Sequence, residues 1–233
     1  MEEQVVHRSE SAAISRAEVF FPKVYNWMAV GLGVSAAVAL MTVYSQAMMQ
    51  LVFGNRFVFY GLLIAELLLV ITLSGAIQRL SASAATGFFL LYSALSGVTL
   101  AAIFVLYTQS SIASTFLVTA GTFGAMSIYG HVTRRDLTSW GSFLFMGLIG
   151  FLLASVVNMF LHSEMIYWVS TYCGILIFVG LTAYDTQKLK VLAMGGFASG
   201  EDRHKAAILG ALRLYLDFIN LFLLLLRVLG RRR

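Results

Sequence analysis

Two aspartates stand where a carboxylate is least expected. Asp185 closes the sixth of seven long apolar stretches, and Asp217 lies well inside the seventh. A hydrocarbon interior tolerates an ionisable side chain only when it is paired, neutral or facing a wet cavity, so each acid is a candidate functional group. A short antiparallel return between the two stretches would bring both carboxylates together near one end of the bundle. Two acids sharing a site cannot both ionise cheaply, so such a pair can hold a single proton and act as a pH-sensitive latch. It could also attract Ca²⁺ weakly and in passing, because a dedicated cage takes about six to eight oxygens. Arg213 and Asn220 share a helix face with Asp217, which makes an internal Arg213–Asp217 ion pair the competing reading of that acid. Arg79, at the end of the second stretch, either bridges to the acids in a closed state or snorkels to lipid phosphate as an anchor. Glu66, near the centre of the second stretch, would cost at least ~2–3 kcal/mol if ionised there. It is either a neutral acid tying helices together or a group lining a pore or proton route.

The elements that must position these groups are membrane helices. Of the 233 residues 59% are hydrophobic and only 12% charged, with a mean hydropathy of +0.84. About a quarter charged is usual in a soluble domain. Apolar spans are expected at about 24–44, 57–77, 84–106, 112–129, 142–161, 165–184 and 206–229, each long enough to cross a core ~30 Å thick. Unbroken runs such as Leu221 to Leu226 exclude the alternation of membrane strands. The expected class is therefore all-α and polytopic. Residues 1–23 form a polar N-terminal tail, 24–230 one seven-helix membrane domain, and 231–233 a basic tail. The N-terminal segment lacks a cleavable leader, so the first span is expected to be an uncleaved anchor. The single proline, Pro22, is placed before that span. Ala120 with Gly124, Gly121 with Ala125, and Gly150 with Ala154 are expected to be close helix contacts.

Lys and Arg gather in the N-terminal tail (Arg8, Arg16, Lys23) and in the second, fourth and sixth connectors (Arg79; Arg134 and Arg135; Lys188, Lys190, Arg203 and Lys205). That bias puts the N-terminus in the cytoplasm and, after seven crossings, the C-terminus outside. Arg227, Arg231, Arg232 and Arg233 at the far end oppose it, so a re-entrant last segment is the alternative to a crossing.

Enzymatic chemistry finds little support. His7, His131, His162 and His204 are scattered, the one cysteine (Cys173) lies in an apolar run, and neither a phosphate loop nor a nucleophile elbow is present. Neither an enzyme nor a resident cofactor is expected. The basic residues serve topology, which leaves nucleic acid without support as a partner.

The segment Gly180-Leu181-Thr182-Ala183-Tyr184-Asp185-Thr186-Gln187-Lys188-Leu189-Lys190 and the segment Ala211-Leu212-Arg213-Leu214-Tyr215-Leu216-Asp217-Phe218-Ile219-Asn220-Leu221-Phe222 resemble the last-span signatures of the Bax inhibitor-1 family. Ser111 to Phe116 and Gly124 to Ser127 resemble its bacterial inner-membrane branch, and the likeness runs from about Tyr25 to Gly230. The resemblance implies six helices enclosing a seventh and a pH-sensitive calcium leak. In it the proton-sensing acids would be Asp185 and Asp217, and the latching arginine would be Arg79. Arg213, one turn before Asp217, departs from that pattern as a competitor for the acid. The partners expected are the bilayer, Ca²⁺ and H⁺. The alternative is an interaction protein, without transport, that modulates a membrane protease or stabilises other membrane proteins.

Overall fold

The computed structural model describes residues 2–233, with side chains from Ala17 onward; the tail charges from Glu2 to Arg16 fall outside the described side chains. Among the described residues there are eight helices: α1 (Glu2–Tyr44), α2 (Gln46–Phe53), α3 (Arg56–Ala76), α4 (Ala82–Leu106), α5 (Gln109–Val132), α6 (Thr138–Leu161), α7 (Glu164–Gly195) and α8 (Gly200–Leu229). All but α2 are long and apolar enough to cross a membrane. The protein is all-α with seven such spans, as its composition requires.

Three boundaries differ from expectation. First, α7 continues eleven residues past Tyr184, so Asp185 sits inside a helix and not at its end. The extension is amphipathic, burying Leu189 and Ala193 one turn apart. It stops where Gly196 takes φ 82°, a left-handed conformation that glycine adopts freely. Second, α1 begins at Glu2 and carries Pro22 inside it, with Phe20, Val24 and Met28 around it in sequence buried. Third, α2 occupies what was expected to be a plain connector, with Ser45 Oγ accepting from the Met48 amide at 3.3 Å as its cap.

The chain forms two compact units, the first of residues 1–106, 191–215 and 233, the second of 107–190 and 216–232. Within the first, α1 and α4 approach so closely that a Cβ on Gly97 would stand 2.6 Å from the Ser35 carbonyl oxygen. Ser199 starts α8 there, its hydroxyl accepting from the Asp202 amide at 3.0 Å, while Glu201 Oε1 accepts from the Ala82 amide at 3.2 Å and so caps α4.

Within the second unit, Gly130 of α5 meets the Ala183 carbonyl of α7 backbone to backbone, and Gly141 of α6 makes room for the Tyr184 ring. By contrast, a Cβ on Gly121, Gly124 or Gly150 would meet nothing within 4 Å. The four-residue spacings expected to mark close contacts do not mark them, because bulky neighbours on the facing helix decide which glycine is pressed. Phe178 and Leu181 of α7 pack in one cluster with Leu221 and Leu224 of α8 and Leu144 of α6. The chain end pairs with the α4–α5 connector: Thr108 donates to the Arg231 carbonyl at 3.1 Å, Arg231 donates to Ser111 Oγ at 2.9 Å, and Tyr107 bridges Arg232. α8 runs uninterrupted over 30 residues, without the break that a re-entrant segment would need.

Candidate functional site

Most side chains of the 180–190 segment dock α7 against its neighbours. Ala183 rests on Gly130 and Tyr184 on Gly141. Gln187 staples the α5–α6 connector, its Oε1 accepting from the Leu137 amide and its Nε2 donating to the Arg135 carbonyl, both at 2.8 Å. Lys190 Nζ donates to the His131 carbonyl at 2.7 Å, placing a cation at the negative end of α5. Lys188 lies over the Tyr184 ring at 5.6 Å. Asp185 is half-buried among them.

On α8 the second acid is set deeper: Asp217 is only 5% exposed. Its neighbour Phe218 packs edge-on against Phe116 and Phe123 of α5, with centroids 5.3 and 5.5 Å apart. The α7–α8 cluster fixes the relation between the acids. Leu224 fills the space at Gly174, and Phe178 and Leu181 pack with Leu221 and Leu224, so α7 and α8 run antiparallel. One turn beyond Leu181 comes Asp185, and one turn before Leu221 comes Asp217. The two acids therefore lie on stretches of α7 and α8 that flank the same cluster.

Of the other expected groups, Asn220 and Glu66 are engaged locally. Asn220 Nδ2 donates to the Leu216 carbonyl of its own helix at 2.8 Å. Glu66, in the first unit, accepts from Thr99 Oγ1 at 3.0 Å, joining α3 to α4. Arg79 is exposed just past the end of α3, and Arg213 is half-buried on the first-unit half of α8.

A polar node in the first unit was not visible in the sequence. The fully buried Tyr215 hydroxyl donates to Ser96 Oγ at 3.0 Å and shares a 2.7 Å hydrogen bond with Ser35 Oγ. Ser35 also reaches the Ser93 carbonyl at 2.7 Å, so three helices meet on one phenol while Phe89 and Tyr92 face its ring edge-on. Serines are cheap in apolar helices and 180 residues separate Ser35 from Tyr215, so no local spacing announces the node.

Among the described residues, no group of three or more His, Cys, Asp or Glu side chains is gathered to hold a metal ion. Two carboxylates fall short of the about six to eight oxygens of a calcium cage. Chemically, a carboxyl group can bind and release a proton.

The family model described as inhibitor of apoptosis-promoting Bax1 matches residues 17–233. The inner membrane protein YbhL of Escherichia coli is 56% identical over 231 residues, covering 97% of this chain and 98% of that one. An uncharacterised protein of Borreliella burgdorferi is 46% identical over 92% of both chains, and one of Deinococcus radiodurans is 40% identical over 97% of this chain and 96% of its own. The chain belongs to the Bax inhibitor-1 family of membrane proteins.

Proposed function

We propose that this protein is a cation leak of the bacterial inner membrane, passing Ca²⁺ at a rate set by a proton held between Asp185 and Asp217. The observation that carries the reading is the shared α7–α8 cluster beside the acid-bearing stretches, with Asp217 buried. A shared proton changes the net charge of the pair by one unit in a medium of low dielectric, where such a change is large. Arg213, one turn before Asp217 on α8, is the candidate cationic partner of the deprotonated state. The inner membrane is the named location of the 56% identical relative, and the last span suits the role of enclosed helix. In its most apolar stretch 61% of the residues are buried, against 6–39% in the other six.

Purified protein in liposomes loaded with a calcium-sensitive dye is expected to pass Ca²⁺ above protein-free vesicles. The flux should change between about pH 6 and 8, the range a coupled carboxyl pair can reach. Flux no greater than in empty vesicles would rule the reading out.

A second reading, a non-transporting partner of other membrane proteins such as a membrane protease, draws on the lipid-facing side of α6 and α7. An apolar groove of about 590 Å³ lies there between Phe143, Gly147, Gly150, Ile166 and Cys173, wide enough to seat a partner's side chains. Crosslinking in native membranes with enrichment of one partner, together with silent liposomes, would favour it.

A further inference from the structure

We propose that the buried face of α5 is a hydrated, hydroxyl-lined path for a small cation, closed midway by the ring pair Phe123–Phe218. Ser111, Thr115, Thr119, Phe123 and Ser127 recur every fourth residue and are all buried, so they form one stripe down the helix. From Ser111 to Ser127 the stripe covers ~24 Å of helical rise.

Buried hydroxyls in an apolar helix ordinarily turn back to their own backbone, as Thr119 does to the Thr115 carbonyl at 2.8 Å. Thr115 and Ser127 do not. Among the described residues their hydroxyl oxygens, and that of Thr186 on α7, are buried without a hydrogen-bond partner. The three residues are only 1%, 6% and 0% exposed. Each such hydroxyl is costly if left dry, a penalty that a bridging water or a passing cation removes. All three belong to the second unit, on helices that touch at Gly130 and Ala183. Ser127 is one turn from Gly130, and Thr186 follows Asp185 directly.

The stripe is interrupted once. Phe123 stands between Thr119 and Ser127, its ring 5.5 Å from that of Phe218, the residue after Asp217. A hydrophobic constriction between wet segments blocks conduction by dewetting, and this one adjoins a residue that the proton would neutralise. At the other end Ser111 is held by Arg231 and by Thr108 Oγ1, at 2.9 and 3.0 Å, beside the Tyr107–Arg232 bridge. The transport half of the proposal rests on the leak reading; the hydration of the α5 face does not.

The test therefore has two arms, both on the full chain in liposomes. In the first, Thr115→Cys and Ser127→Cys, in a Cys173→Ser background, are treated with a small hydrophilic methanethiosulfonate. They are expected to react about tenfold faster or more than Leu117→Cys, since a thiol in dry apolar surroundings stays protonated and inert. Leu117 is the lipid-facing control on the same helix, at 71% exposure. Rates no greater than that control overturn the hydrated face. In the second arm Phe123→Ala is expected to raise Ca²⁺ flux severalfold, and Thr115→Val to lower it while Thr115→Ser does not. Fast labelling with flux unchanged in Phe123→Ala overturns the ring gate. Fast labelling with no flux even in the unsubstituted protein overturns both the leak reading and the cation path.

Discussion

Gly130→Ala is expected to lower the thermal midpoint of the purified protein, whereas Gly150→Ala raises it. Both glycines are helical, Gly150 in the middle of α6 and Gly130 in the last turn of α5, and inside a helix alanine is normally the better residue by about 0.5–1 kcal/mol. At Gly150 nothing lies within 4 Å of the added Cβ, so that gain is kept. At Gly130 the added carbon runs into the Ala183 carbonyl, and backbone cannot step aside by changing rotamer. Forcing α5 and α7 apart there costs about 1–3 kcal/mol, in the range of overpacked cores, and loosens the contact beside Asp185. Melting curves followed by size-exclusion chromatography in detergent give the two signs directly. A Gly130→Ala protein as stable as its parent would mean that the α5–α7 contact is not the one described.

An impermeant thiol reagent added to intact cells is expected to label Arg232→Cys and to spare Glu3→Cys until lysis, each in a Cys173→Ser background. The arginine and lysine distribution of the first six connectors supports a cytoplasmic N-terminus, and seven crossings would then put the C-terminus outside. The terminal arginines, which oppose this by charge alone, are accounted for by their surroundings. Arg232 is held protonated by hydrogen bonds to Tyr107 and Tyr167, and Arg227 lies over the Tyr167 ring at 5.4 Å. The tail also pairs with Leu106 and Thr108, in a connector that has no Lys or Arg. These arginines are anchored by tyrosines and backbone, so they need no anionic lipid on the cytoplasmic side. Protection of both cysteines before lysis would contradict the orientation.

The spans were legible because the cost of burying charge in lipid clears long stretches of it. Asp185 and Asp217 stood out against that clearing for the same reason. Helix ends were less legible, since hydropathy marks where lipid begins and not where hydrogen bonding stops. The last turns of α7, with Lys188 and Lys190, look like a connector by composition, yet Leu189 and Ala193 bury a face and keep it helical. The packing of α7 on α8 beside the acids depends on Phe178, Leu181, Leu221 and Leu224, apolar residues with nothing to distinguish them from their neighbours. Likewise, the glycines that carry close contacts are chosen by Tyr184 and Ala183 across the interface, and no spacing within one helix reveals them.

The central claim is that Asp185 and Asp217 act as one proton-binding unit that sets the leak. Its most direct test is the pH dependence of Ca²⁺ flux in liposomes for the unsubstituted protein, Asp185→Asn, Asp217→Asn and the double variant. Two acids sharing a proton give single substitutions that each flatten the pH response and a double variant that flattens it no further, because interacting sites are non-additive. A pH response preserved in either single variant, or two partial losses that simply add, would contradict the pair.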